Sequence, residues 1–340
     1  MEQKASSAPS LRESIVEGIA RAVARRFGES ARIDDVVFTT LGGSNRTVLF
    51  DVVQGAARRR LVFRQETYSL PSTPFIAPSM QFKLLQLVHR AGIPVPEPIF
   101  EFDGADSLER AYVVGFVDGE TLPRRLLDAP EFGLARERFC AQAGELLARL
   151  HAIDSAEAGF LAGTPDSRDP LAAILARLDA WGEAHPALEL AVRWLERHRP
   201  SAAPRHLLHG DFRTGNIMLG PEGIRAVLDW ECGHLGAPAE DLAWLCLRSF
   251  RFGHVERPVG GFGQRPAFYS AYAAVSGRAV DPDEVYWWEI FGFLRWAQYN
   301  VMQMHGHVSG ERRSTAFAAC GRNTALIEYE LLMTLLGHYT

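Results

Sequence analysis

The chain has 340 residues, 47% hydrophobic and 23% charged, with 36 basic against 41 acidic side chains and a net charge of -5. That balance argues against a nucleic-acid partner, which calls for a basic face, and the lack of any run near ~20 apolar residues argues against a membrane-spanning helix. Cys140, Cys232, Cys246 and Cys320 lie too far apart for paired zinc ligation and read as reduced thiols of a cytoplasmic protein.

The first ten residues are polar, without a secretory pattern, and are expected to lie outside the fold. Ile15, Ile19, Val23 and Phe27 recur every fourth position over 11–28, the period of an amphipathic helix, so tail and helix make an N-terminal segment over 1–30. Three β-like runs at 36–40, 46–53 and 59–66 follow, joined by the short links LGGSN and QGAAR, the pattern of an antiparallel meander. Residues 79–92 read as a helix closing at Gly92, 93–102 as an extended segment broken by prolines, and 110–122 as a strand running into a turn. A boundary is expected near Gly115 to Gly119, dividing a small antiparallel-sheet lobe over 31–117 from a larger, mainly helical lobe over 118–340, an α+β class. In the second lobe, 137–154 has strong helical period and 170–198 reads as two helices broken near His185-Pro186. Short strands at 217–220 and 225–230 flank a Pro-Glu-Gly turn, and helices are expected over 238–250, 266–276, 281–304 and 312–336.

Between two apolar runs lies HLLHGDFRTGNIML, residues 206–219. Asp211 follows His209-Gly210, Asn216 opens one strand, and Asp229 ends the next. A hairpin brings Asn216 and Asp229 near each other, with Asp211 at the same mouth. Phosphoryl transfer needs this set: one carboxylate to orient and deprotonate the attacking hydroxyl, and a carboxylate with an amide oxygen to hold Mg²⁺ against the phosphates.

HGDFRTGNIM followed by VLDWE resembles the aminoglycoside phosphotransferase (APH) and choline kinase-like branch of the protein kinase-like superfamily. The longer stretch DWECGHLGAPAEDLAWL looks most like the APH-type domains related to the N-terminal part of certain acyl-CoA dehydrogenases. The resemblance implies a bilobal protein kinase-like fold, Mg²⁺ with ATP or GTP as co-substrate, Asp211 as catalytic base, and Asn216 and Asp229 as Mg²⁺ ligands. It also implies that His209 orients the loop and that Asp241 braces it. His209 is equally readable as a core histidine. Arg213 reads either as a cation neutralising the transferring phosphoryl group or as a surface arginine paired with a nearby acid. Glu231 supports Mg²⁺ through water or is a solvated acid.

The nucleotide half of the site is expected at Gly42, Gly43, Ser44 and Asn45, where glycine lets backbone N–H groups approach phosphate oxygens. Arg64 stands where relatives carry a phosphate-binding Lys, and Gln81 where a helix Glu would pair with it, with Glu66 as a nearby acid. YVVGFVDGE resembles the hinge that meets adenine, which makes Gly115 and Phe116 contact candidates. On the acceptor side, helical spacing over 286–307 puts Trp288, Phe291 or Gly292, Arg295 and Tyr299 near one face, either as core or as a pocket for a partly apolar acceptor. Arginines in that region suit a polycationic aminoglycoside poorly. The expected function is transfer of a γ-phosphate from ATP or GTP to a small-molecule hydroxyl. The alternative, motivated by Gln81, is a nucleotide-binding pseudoenzyme or regulatory module.

Overall fold

In the computed structural model, which describes residues 10–39, 45–67, 73–104, 106, 108–201 and 204–339, the chain divides into two units. The first takes the described residues within 1–69, 77–82 and 97–116. Its helix α1 (Leu11–Phe27) opens with a capping box, in which the Ser10 hydroxyl accepts from the Glu13 N–H and the Glu13 carboxylate from the Ser10 N–H. Five strands follow: β1 (Arg32–Phe38), β2 (Asn45–Gln54), β3 (Ala57–Glu66), β4 (Pro98–Glu101) and β5 (Ala111–Gly115). They pair antiparallel in the order β1-β2-β3-β5-β4. Ile15, Ile19, Ala22 and Val23 of α1 share one core with Val48, Phe50, Phe63 and Val113 of the sheet. Gly18 permits this: a Cβ there would meet Leu108 Cδ1 at 2.6 Å. The helix therefore belongs to the sheet's core and does not stand apart with the tail. β4 forms from the proline-broken segment because Pro98 heads the strand, at the sheet edge. Helix α2 (Pro78–Arg90) gives its first residues to this unit.

The second unit is mainly helical. It contains α3 (Pro123–Asp128), α4 (Gly133–His151), α5 (Pro165–Arg168), α6 (Pro170–Trp181) and α7 (Pro186–Arg197). The strands β6 (His206–Leu208), β7 (Ile217–Gly220), β8 (Gly223–Val227) and β9 (His234–Gly236) come next, then α8 (Pro238–Cys246), α9 (Arg265–Ser276), α10 (Pro282–Val308) and α11 (Thr315–Leu335). β6 pairs with β9 and β7 with β8, both antiparallel. The break between α6 and α7 falls where Gly182 turns left-handed (φ 66°) and Pro186 starts the next helix. α4 passes close to α9 because residue 144 is Gly; a Cβ there would meet the Phe268 carbonyl at 2.5 Å.

The centre of this unit contains charge. Arg295 of α10, 1% exposed, pairs with Glu240 and lies 3.6 Å from Asp166, which pairs with Arg177. His234 Nε2 is 3.1 Å from Glu240. Phe291, Arg295 and Tyr299 thus take the core reading of that α10 face, with Arg295 spent on buried carboxylates, whereas Trp288 lines a cavity of about 390 Å³. All four thiols are free; Cys140, Cys232 and Cys246 are buried and Cys320 half-buried. Burial pushes Cys140 up to about 11 and Cys246 up to about 12. Among the described residues no helix is long and apolar enough to cross a membrane.

Candidate active site

β6 delivers the chain into the loop His209-Gly210-Asp211. Gly210 has φ 76°, and a Cβ on it would stand 2.2 Å from the Cys232 carbonyl, so this turn needs glycine. Asp241, in the first turn of α8, brackets the turn: its carboxylate accepts from the N–H of His209 at 2.8 Å and of Gly210 at 2.9 Å. His151 Nε2 stands 3.2 Å from Asp241, and its Nδ1 is 3.1 Å from the Tyr272 hydroxyl. Burial alone would raise the Asp241 pKa, but the hydrogen bond and charge of His151, with His209, outweigh it and hold the carboxylate below its usual range.

His209 is fully buried. Its Nδ1 accepts the Asp211 N–H at 3.1 Å, which places the ring proton on Nε2, and Nε2 donates to the Leu228 carbonyl at 2.9 Å. Burial lowers its pKa, so the ring is neutral at pH 7. The core and loop-orienting readings of this histidine meet in one residue.

The Asp211 carboxylate is held from three sides. Oδ1 accepts from Arg213 Nε at 2.9 Å and from Trp244 Nε1 at 2.8 Å; Oδ2 accepts from Asn216 Nδ2 at 2.6 Å. Asn216 Nδ2 also reaches the Asp211 carbonyl at 3.0 Å, so the amide's nitrogen is committed and its oxygen is the atom suited to a hard cation. The Leu228 N–H donates to the Asn216 carbonyl at 2.8 Å and Ile217 pairs with Val227, so Asn216 and Asp229 flank one end of the hairpin. The strand expected to reach 230 stops at Val227, because Asp229 turns left-handed at φ 59°, ψ 61°. Such a conformation in a non-glycine costs about 1–3 kcal/mol and persists where the surroundings impose it. Glu231 sits in the following single turn, its carbonyl accepting the Ile76 N–H at 2.8 Å. Among the described residues no three His, Cys, Asp or Glu side chains gather as a metal cage.

Arg213 lies over aromatic rings, 5.3 Å from the Phe250 centroid and 5.8 Å from that of Trp296. Beside it is a cavity of about 330 Å³ whose walls include Phe250, Phe252, Trp296, Asn323 and Leu326, with Arg213 the one charged side chain among the described residues that line it. From α10 it is Trp296, not one of the residues singled out by helical spacing, that lines this cavity.

In the first unit, Gly42, Gly43 and Ser44 lie outside the described residues, and Asn45 opens β2 opposite Glu66. Arg64 is on β3 opposite Tyr112 of β5. Gln81 is 3% exposed, and its Oε1 accepts from the Tyr112 hydroxyl at 3.1 Å. Glu66 is ion-paired to Arg110. The Gly115 N–H donates to the Glu97 carbonyl at 2.8 Å and the Phe116 N–H to that of Arg60 at 3.2 Å, so an adenine contact at these positions would use other atoms. Two participants escaped sequence reasoning. Trp244 hides in the apolar run of α8, and His151 at the end of α4 shows no local pattern that separates it from a surface histidine.

A family model described as the phosphotransferase enzyme family, APH, matches residues 36–278. The chain is 30% identical over 210 residues to acyl-CoA dehydrogenase family member 10 of Mus musculus, covering 56% of this chain and 18% of that protein. It thus spans about a fifth of that relative's length. Among solved structures, a candidate aminoglycoside phosphotransferase of Ralstonia eutropha is similar with a TM-score of 0.71 at 21% identity, covering 94% of this chain and 97% of that one. A spectinomycin phosphotransferase solved with ADP and spectinomycin gives a TM-score of 0.60 at 12% identity, covering 93% and 97%. These likenesses fix the fold as bilobal and protein kinase-like, with its small antiparallel-sheet lobe and larger helical lobe.

Proposed function

The chain belongs to the APH family of phosphotransferase enzymes, and from that premise we propose that it moves the γ-phosphoryl group of ATP or GTP to a hydroxyl of a small molecule other than an aminoglycoside. The observation that carries this reading is the Asp211 carboxylate, fixed by three N–H donors in the loop that also presents Asn216. A structural relative that holds ADP supports a nucleotide co-substrate.

The donor set fits Mg²⁺: the Asn216 amide oxygen and the Asp229 carboxylate are hard oxygen ligands, with Glu231 acting through water. When bound, the ion would neutralise charge on the phosphates. Asn216 and Asp229 would supply only two direct oxygen ligands, too few for tight binding by the chain alone, so tight Mg²⁺ binding should require nucleotide. Isothermal titration with MgCl₂ should show weak binding to the chain alone and much tighter binding once ATP is present; equal affinity in both would remove Asn216 and Asp229 from the role. On the first unit, Arg64 and backbone groups around Gly42 to Asn45 would hold the phosphates. Asp211 then orients the acceptor hydroxyl and takes its proton as the new O–P bond forms. His209, neutral and doubly bonded inside the loop, keeps the base in place without exchanging a proton.

The acceptor is neutral or anionic, with an apolar body. Among the described residues the cavity beside Arg213 offers aromatic and aliphatic walls and one cation, whereas a polycation requires clustered acids. The test is a search of a metabolite pool with labelled ATP and GTP. Asp211→Asn should cut turnover about 10²–10⁴-fold while nucleotide affinity stays near that of the wild type. Equal turnover by the two proteins would sink the role of Asp211. Bound nucleotide without transfer across a broad pool would favour the regulatory-module reading.

A further inference from the structure

A carboxylate oxygen has two lone pairs for hydrogen bonds. At Asp211, Oδ1 already receives two donors, Arg213 Nε at 2.9 Å and Trp244 Nε1 at 2.8 Å, whereas Oδ2 receives one, Asn216 Nδ2 at 2.6 Å. The two Oδ1 donors are themselves fixed. The indole of Trp244 is 2% exposed and wedged against Phe250, Trp296 and Tyr299 at centroid distances of 5.2, 6.4 and 6.2 Å. A buried indole N–H needs an acceptor, and this one has the Asp211 carboxylate. The Arg213 guanidinium rests on the Phe250 and Trp296 rings of the same cluster. Trp244 also stands three residues after Asp241 on α8, and neighbours at that spacing share a helix face. One short helix thus holds the loop twice, its backbone through Asp241 and the side chain of its acid through Trp244.

We infer that Trp244 is a positioning residue for phosphoryl transfer, and that with Arg213 it saturates Asp211 Oδ1 so that Oδ2 is the oxygen that receives the acceptor's proton. The inference rests on the phosphotransferase reading above. In the step it describes, the acceptor oxygen forms a bond to the γ-phosphorus as its proton passes to Oδ2. The bond from that phosphorus to the β,γ-bridging oxygen breaks, and its electron pair leaves on the nucleoside diphosphate. Arg213 acts here on the base, not on the transferring group.

Trp244→Phe in the full chain keeps the ring and deletes the N–H. With an acceptor found by the search above, kcat should fall about 10- to 100-fold, the worth of one hydrogen bond to a charged group. KM for nucleotide and acceptor should stay within about twofold, because the lost contact touches neither substrate. A merely structural tryptophan would lower the melting temperature and leave kcat per folded molecule unchanged. The second measurement needs no turnover. In ¹⁵N-labelled protein, the Trp244 indole N–H resonance should lie downfield, exchange slowly with solvent, and move upfield in Asp211→Asn. An unmoved resonance overturns the inference. So does wild-type kcat in Trp244→Phe beside a silent Asp211→Asn, and in that case the proposed reaction stands. Equal turnover by wild type and Asp211→Asn overturns the reaction reading itself, and the positioning role with it.

Discussion

A methyl group on residue 210 would sit 2.2 Å from the Cys232 carbonyl and 3.0 Å from His234 Nδ1, on a backbone already left-handed at φ 76°. Gly210→Ala should therefore destabilise the chain by about 1–3 kcal/mol from backbone strain, with the clash added, and displace Asp211 from its donors. Urea denaturation and turnover per folded molecule should both fall; a neutral substitution would mean that the loop relaxes freely. At this scale the sequence was informative where partners are close in the chain. Asp211, Asn216 and Asp229 lie in one loop and one hairpin, and their order alone pointed to a shared site. Arg213 was readable as a cation for the phosphoryl group or as the partner of a nearby acid; the structure pairs it with Asp211, a choice a two-residue spacing could not make because it does not say which way Nε turns. Trp244 was not readable at all. It lies 33 positions beyond Asp211 in the run LAWLCL, where every side chain looks like core and the direction of one N–H leaves no periodic trace.

The element that controls the loop is α8. Asp241 in its first turn accepts two backbone N–H groups while itself at 0% exposure. Asp241→Asn keeps the shape but turns an N–H donor toward a backbone N–H, leaving buried donors unsatisfied at a cost of about 1–3 kcal/mol. A lowered melting temperature with a loss of kcat larger than any loss of nucleotide affinity is expected; loss of nucleotide affinity alone would argue against a brace. Sequence period located most helices of this unit, including the break at His185-Pro186. It did not reveal β6 and β9, because three-residue strands are too short to carry an alternation and their pairing joins segments 26 positions apart, Leu208 with His234. On α10 the aromatic spacing marked an apolar stripe correctly but could not say which residues line a cavity. Arg295 turns inward to Glu240, and Trp296 stands at the wall.

Across the molecule, the helical unit depends on buried charge as well as on apolar packing. Burial would raise the Asp166 pKa, but the Arg177 hydrogen bond and the charges of Arg295 and Arg177 outweigh it and hold the carboxylate below its usual range. A depressed folded value contributes stability that is complete above the unfolded value near ~3.9 and is lost as pH falls through the folded one. Asp166→Asn should cost about 3–5 kcal/mol at pH 7, since it leaves Arg177 and Arg295 partly unpaired. Its stability curve should approach that of the wild type as pH drops below ~3.9. Urea melts across that range test this; parallel curves would assign the pH dependence elsewhere. The antiparallel sheet and the helical majority were legible from period, whereas this network was not, because its acids and bases come from five elements distant in sequence. The thiols add a practical consequence. Burial raises all four thiol pKa values, Cys320's against a smaller opposing effect of Arg213, but Cys140, Cys232 and Cys246 are buried whereas Cys320 on α11 is half-exposed. By exposure alone, a maleimide dye at pH about 8 should attach first at Cys320, and slowly because that thiol is raised, as peptide mass spectrometry over time can check. Without any substitution the chain then accepts a fluorescent reporter on the helix that gives Asn323 and Leu326 to the cavity wall, and an acceptor could be found by the light it changes before any product is made.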